Sequence, residues 1–317
     1  MRRKAFAVWP IAAAILAVFG LTALAQDAWD VHKASYKGSM LCKMCHQTLE
    51  EKGKAFVPGF DKTAHPKAMQ KASVEGAIVG DFTTNPVFKK EQVAWVLGKG
   101  RNKQAYLDAN FQVLPAMWYV KEKKWKPAQA ADGAAQCIAC HTTGFDPATK
   151  KFLAEGVGCE MCHGPGSDHV GGNQKAIVNP KNLDPVKKGM ICGQCHSAGK
   201  DPTGKLPHPV GFRPGDDLTK TFVDAKPTAP GANQQYSEHL QSEHAKVGTN
   251  CTTCHDPHKS VEGLKAQIRK PVNDLCLECH AGTIKDMKTH APTAAADATC
   301  ATCHMHGGVH TFKKATQ

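Results

Sequence analysis

All fourteen cysteines of this 317-residue chain fall into seven Cys-x-x-Cys-His pentads, and none is left over. The pentads are Cys42-Lys-Met-Cys45-His46, Cys137-Ile-Ala-Cys140-His141, Cys159-Glu-Met-Cys162-His163 and Cys192-Gly-Gln-Cys195-His196. They continue with Cys251-Thr-Thr-Cys254-His255, Cys276-Leu-Glu-Cys279-His280 and Cys300-Ala-Thr-Cys303-His304. Two thiols at this spacing reach the two vinyl groups of one porphyrin, and the following imidazole falls under its iron. Zinc ribbons would pair the Cys-x-x-Cys units and leave one of seven unmatched, and zinc needs no histidine at the same offset. A disulfide framework leaves the histidine unexplained, and a thioredoxin-like motif occurs once per domain. Seven covalently bound haem c groups are therefore expected.

The N-terminus carries a basic start (Arg2, Arg3, Lys4), a mostly apolar stretch from Ala5 to Leu24, and a small-x-small signal at Ala23-Leu24-Ala25. This is the pattern of a secretory signal peptide over residues 1–25, and Pro10 argues against a retained anchor. Export to the periplasm is expected, with the extracellular space or outer-membrane surface as the further possibility. Haem attachment and export agree with each other.

Composition suits a chain that buries cofactors. About 290 mature residues would hold seven macrocycles, or roughly 40 residues each, too few for a large side-chain core of their own. Porphyrin faces must then supply buried apolar surface, so cofactor binding becomes folding energy. The formal charge of +12 needs the same correction. Loss of Arg2, Arg3 and Lys4 leaves about +9, and seven ferric haems with their propionates bring the total to about +2, or about −5 when reduced. Many Lys and Arg therefore face propionates, and with no basic run interleaved with aromatics, nucleic acid is excluded as a partner.

Motif spacing suggests three modules after the signal peptide: residues 26–131 with the first haem, 132–236 with haems two to four, and 237–317 with the last three. Within the first, Val93–Leu97, Gln104–Leu107, Phe111–Leu114 and Met117–Val120 read as short strands separated by Gly98-Lys-Gly100 and Asp108-Ala-Asn110. The expected fold is a multihaem cytochrome c of short α-helices and irregular coil packed around seven haems. A small antiparallel hairpin or meander over residues 93–120 accompanies them. Short helices should carry or follow most pentads, and the Pro- and Gly-rich spacer 197–236 should be irregular.

Seventeen histidines less the seven proximal ones (His46, His141, His163, His196, His255, His280, His304) leave ten for the opposite iron faces. His65, His169 and His258 are the leading distal candidates, His244 and His290 follow, and His208 and His306 complete a set of seven. His32, His239 and His310 are held in reserve. Ligation on both faces by imidazole favours low potentials and closes the iron to small molecules, leaving electron transfer as the function. Two alternatives stay open. A five-coordinate haem could reduce a small nitrogen or sulfur compound, although no pentad replaces histidine by lysine. An extracellular filament could share histidines such as His32 between subunits.

The segment Cys137-Ile-Ala-Cys-His-Thr-Thr-Gly-Phe145, with Gly156-Val-Gly-Cys-Glu-Met-Cys-His-Gly-Pro-Gly-Ser-Asp-His169, resembles multihaem cytochromes related to the tetrahaem cytochrome c of nitrification. The likeness extends to Thr249-Asn-Cys-Thr-Thr-Cys-His-Asp-Pro-His258, to Leu275-Cys-Leu-Glu-Cys-His280, and to the strand region Tyr106 to Trp125. It implies an irregular, mainly helical fold with stacked and perpendicular haem pairs, and His169 as a distal ligand. Seven motifs depart from the tetrahaem count. The partners expected are redox protein donors and acceptors, such as a membrane quinol dehydrogenase or an outer-membrane cytochrome, with oligomers possible and no catalytic residues.

Overall fold

A pentad supplies two small thiol side chains and an imidazole within five residues, and one or two helical turns suffice to point all three toward one cofactor. The computed structural model describes residues 29–313 apart from 52–53, 85–86, 230, 232, 260–263, 265 and 285, so the expected signal peptide lies outside the described residues. Each pentad begins, ends or spans a short helix. These are α1 (Ser39–His46), α2 (Ile138–His141), α3 (Glu160–His163), α4 (Pro185–Gly193), α5 (Cys251–Cys254), α6 (Val272–His280) and α7 (Cys300–His304).

Local chemistry starts several of them. Asp184 caps α4 by accepting from the Lys187 N–H at 2.9 Å, with Pro185 at the first position, where a missing N–H costs nothing. Asn250 caps α5, accepting from Thr252 N–H at 3.0 Å, while Thr253 Oγ1 reciprocates toward the Asn250 N–H at 3.2 Å. Gly164 ends α3 at φ 77°, a left-handed conformation that turns the chain through Pro165 and Gly166 toward His169.

The expected meander is a five-stranded antiparallel sheet, larger than the sequence suggested. It runs β1 (Met69–Lys71), β2 (Trp95–Leu97), β3 (Lys103–Leu107), β4 (Ala116–Tyr119) and β5 (Lys124–Pro127), each strand beside the next. Register includes Gln70 opposite Val96, Val96 opposite Tyr106, and Trp118 opposite Trp125. Phe111–Leu114 is a correction: it makes a bridge from Val113 to Leu107 rather than a strand, because Phe111 takes a left-handed φ of 61°. The two edge strands were missed because they carry Lys71, Lys124 and Lys126, which dilute the apolar signal while keeping sheet edges from pairing further.

This sheet holds most of the protein's side-chain core. Phe88, Val96, Tyr106 and Trp118 fill one face, and Met69, Leu97, Leu107 and Ile138 fill the other. Ile138 belongs to the second pentad, so the sheet directly supports that motif. A polar core accompanies it: the fully buried Tyr106 hydroxyl donates to Gln104 Oε1 at 2.7 Å, and the Gly80 N–H donates to that hydroxyl at 3.1 Å. A smaller core of Met190, Phe212, Leu218, Phe222 and Tyr236 packs α4 against the irregular spacer.

The C-terminal region differs in kind. No described residue after Ser242 is buried. Three pentads are strung through it with almost no apolar interior from the protein itself, the condition in which bound macrocycles must supply the interior. From Val31 onward the chain makes one unit in which these regions are contiguous. No helix among the described residues is long and apolar enough to cross a membrane.

Candidate haem-binding site

Six motif histidines each face a second imidazole. Ring centroids are 6.1 Å apart for His46 and His169, 6.4 Å for His196 and His65, and 6.0 Å for His163 and His258. They are 6.1 Å apart for His255 and His310, 5.8 Å for His280 and His244, and 6.1 Å for His304 and His290. Two metal–nitrogen bonds of about 2 Å plus two ring radii account for a spacing of this size. Direct imidazole stacking would bring the planes closer. These residues therefore fit a metal ligated on both faces.

Orientation supports the same reading. A metal-binding histidine usually donates its other ring N–H to a carbonyl, which fixes the tautomer and aims the free nitrogen. His141 Nδ1 donates to the Ala68 carbonyl at 2.8 Å, His163 Nδ1 to Val178 at 3.0 Å and His255 Nδ1 to Ala266 at 2.8 Å. Among the non-motif rings, His169 Nδ1 donates to Gln174 O at 3.1 Å and His310 Nδ1 to Gly308 O at 2.8 Å. His196 Nδ1 donates to Gln235 Oε1 at 3.2 Å. In all six, Nε2 is the nitrogen left for a ligand.

Burial favours the neutral form, the form that can ligate, at six of these rings. It pushes His65 down to about 4, with nearby His196 adding to the effect. Burial likewise lowers His141, His163 and His196, where hydrogen bonds from Nδ1 partly oppose it, and it lowers His244 and His310.

Five of the seven distal candidates (His65, His169, His244, His258, His290) thus face a motif imidazole. His208 and His306 do not, and His310, held in reserve, stands opposite His255. Gly307 and Gly308, at φ 68° and 84°, turn the chain back between His306 and His310. That turn leaves His306 exposed on a 3-10 segment and lets His310 return toward the fifth motif. The Gly-Gly pair was the signal available in the sequence. His208 is buried, edge-on to Phe145 at 6.2 Å, with Nε2 lacking a hydrogen-bond partner. His32 and His239 use Nε2 within the protein, His32 toward Asp216 and His239 toward Thr249 Oγ1, each at 3.2 Å. Among the described residues no imidazole faces His141.

Contacts between pentads bring the attachment sites together. Ser39 Oγ accepts from the Cys159 N–H at 3.0 Å, and the Cys42 and Cys159 thiols touch. The buried Glu160 carboxylate accepts from Lys37 N–H at 2.8 Å, Gly38 N–H at 2.6 Å and Gly166 N–H at 2.8 Å, tying the third motif to the first. Gly59 has no side chain where the His258 carbonyl passes; a Cβ there would lie 2.5 Å from that oxygen.

Two family models match parts of the chain. "Cytochrome c554 and c-prime" covers residues 101–164 and "Doubled CXXCH motif" covers residues 244–285. Cytochrome c-554 of Nitrosomonas europaea is 28% identical over 205 residues, spanning 59% of this chain and 65% of that protein. The dissimilatory sulfite reductase MccA of Wolinella succinogenes is 27% identical over 230 residues, 60% of this chain and 30% of that protein. The matched part is thus less than two thirds of either relative. The crystal structure of the outer cell wall cytochrome OcwA superposes with a TM-score of 0.70 at 22% identity, covering 88% of this chain and 79% of that one, a likeness of fold. The pentads support covalently bound haem c, residues 101–164 and 244–285 match families of c-type cytochromes, and the chain shares its fold with a cytochrome.

Proposed function

We propose that the protein carries electrons between respiratory redox proteins through seven haems, one per pentad, six of them held between two histidines. The ligand pairs are His46/His169, His196/His65, His163/His258, His255/His310, His280/His244 and His304/His290. The observation that carries this reading is the set of six facing imidazole pairs at 5.8 to 6.4 Å. When bound, each haem supplies a reversible one-electron couple, which two imidazoles shift toward low potential. The chain's own residues do the rest. Backbone carbonyls hold His141, His163, His169, His255 and His310 by Nδ1, burial favours the neutral form of His65, His163, His196, His244 and His310, and in each pair the second ring denies small molecules access to the metal. A donor such as a membrane quinol dehydrogenase and an acceptor such as an outer-membrane cytochrome suit an exported carrier of this kind, and the N-terminal signal directs it to the periplasm.

Mass spectrometry of the exported protein should show seven added macrocycles, and electron paramagnetic resonance of the oxidised form should count six low-spin irons. Fewer macrocycles, or a majority of high-spin irons, would refute the reading.

A second reading concerns one site. His141 alone among the motif histidines faces no other imidazole, so the second haem would keep an open face able to take a small molecule. One equivalent of carbon monoxide bound per reduced chain supports this. No binding, or several equivalents, removes it.

A further inference from the structure

Charge is unevenly spread over the five-stranded sheet. Neighbouring strands run antiparallel, so the loop before β1, the β2–β3 turn and the β4–β5 turn all emerge at one end. The Gly98 N–H donates to the Ala68 carbonyl at 2.8 Å and the Val120 N–H to the Asn102 carbonyl at 2.9 Å, which sets the three segments side by side. Residues 62–68 bring Lys62 and Lys67, and residues 98–103 bring Lys99, Arg101 and Lys103. Residues 120–124 add Lys121, Lys123 and Lys124. The one carboxylate in these segments, Glu122, is spent on Lys126 at 2.7 Å. At the opposite end, the β3–β4 connection and the segment after β5 carry Asp108 and Asp132 and no cation.

The basic end is crowded as well as basic. Lys99 Nζ donates to the Lys62 and Thr63 carbonyls at 2.7 and 3.3 Å, pinning the β2–β3 turn to the loop before β1. Burial, with Arg101 and Lys67 beside it, holds Lys99 below the usual lysine range. Lys103 and Lys124 stand on either side of Tyr119 in adjacent strands. Among the described residues no carboxylate forms an ion pair with any of these eight cations. Asp81, drawn toward β5 by the Trp125 Nε1–H bond to its carbonyl, spends its carboxylate on Thr83. An ordinary solvated face needs no such segregation, and lysines elsewhere do pair, Lys71 with Glu155 and Lys150 with Asp132.

Placement gives the patch its meaning. Lys62 and Lys67 flank His65, whose ring faces His196, and Ala68 of the same loop holds the His141 ring through its carbonyl. The loop that joins the basic end together is the loop that reaches the second and fourth pentads. We infer that this end of the sheet is the docking surface for an acidic redox protein, whose carboxylates meet the eight cations and whose redox centre comes to rest over residues 62–68. This rests on the electron-carrier reading above. A surface of one sign steers an oppositely charged partner and raises association rates by roughly 10–10³, an effect that falls steeply with ionic strength.

The test uses the haem-loaded full chain, with fully reduced flavodoxin, a small acidic one-electron protein, as the probe. Its flavin hydroquinone anion gives one electron to a ferric iron and becomes the neutral semiquinone, with no proton moved. Lys121→Gln/Lys123→Asn/Lys124→Gln removes three charges from the exposed β4–β5 turn. Lys205→Gln/Lys220→Gln/Lys226→Asn removes three from exposed positions of the spacer and is the control of equal net charge. At low ionic strength flavodoxin should reduce the first variant at least tenfold more slowly than the unmodified protein, with a weaker salt dependence, and the control should change less than twofold. Arg101→Gln/Lys103→Gln, on the neighbouring turn, should slow the same reaction at least threefold. Reduction by dithionite, which needs no docking surface, should change less than twofold in all three. Equal effects of the first variant and the control, or no fall in either sheet-end variant, overturn the inference. Cosedimentation with phosphatidylglycerol vesicles that is lost in the first variant while its flavodoxin rate is intact assigns the patch to an anionic membrane surface, and equally overturns it. Haems that dithionite fails to reduce would instead refute the electron-carrier reading.

Discussion

Replacing His310 by alanine is the sharpest probe of the ligand assignment. His310 Nδ1 is committed to Gly308 O at 2.8 Å, its backbone N–H donates to Glu238 Oε2 at 2.8 Å, and its ring stands 6.1 Å from His255. Alanine keeps the backbone bond and removes the ring alone, so the region should assemble with one iron open. If six imidazole pairs and one unpaired motif histidine describe the protein, high-spin irons rise from one in seven to two in seven. Low-spin irons fall from six to five. Spin quantification of the oxidised protein by electron paramagnetic resonance reads this directly, and added free imidazole should restore the original ratio. The matched control is His306→Ala, four residues earlier on an exposed turn, which should leave the ratio unchanged. A spectral change in the His306 variant with none in the His310 variant would refute the geometric reasoning and restore the assignment expected from the sequence.

Three further outcomes follow from specific contacts. Glu160→Ala strands three backbone N–H groups of residues 37, 38 and 166; at about 1–3 kcal/mol for each buried group left unsatisfied, thermal unfolding should move down by many degrees, and a shift under two degrees would contradict the buried-carboxylate account. Tyr106→Phe strands the Gly80 N–H, while Gln104 Oε1 still accepts from the Val79 N–H, so a loss of about 1–3 kcal/mol is expected in denaturant unfolding, and an unchanged midpoint would argue against it. Hydrogen exchange on haem-free protein should retain protection in Trp95–Leu97 and Lys103–Leu107, which own a side-chain core, and lose it beyond residue 243; protection surviving in Val272–His280 would show that the C-terminal region folds without its cofactors.

Much of the site was legible because its chemistry is local. Covalent attachment needs two thiols and an imidazole within five residues, so the pentads and proximal histidines stand in the sequence without reference to anything distant. The imidazoles that face the motif histidines are different. His65 stands opposite His196 and His258 opposite His163, across 131 and 95 residues of chain, and no spacing rule relates them. The choice between His306 and His310 turned on the left-handed Gly307 and Gly308, whose effect is to reverse the chain. The sheet was half visible: its apolar central strands alternate clearly, whereas its lysine-bearing edges were recognisable only once their neighbours were in place.

By itself, then, the sequence determined the cofactor's mode of attachment, the number of attachment motifs and the scarcity of side-chain core, since each follows from composition or from residues close in the chain. Tertiary structure alone decided which imidazoles face each other and that His141 faces none. Those are relations between residues far apart in the chain, and they exist only after the sheet, the caps and the buried Glu160 have brought separate segments together.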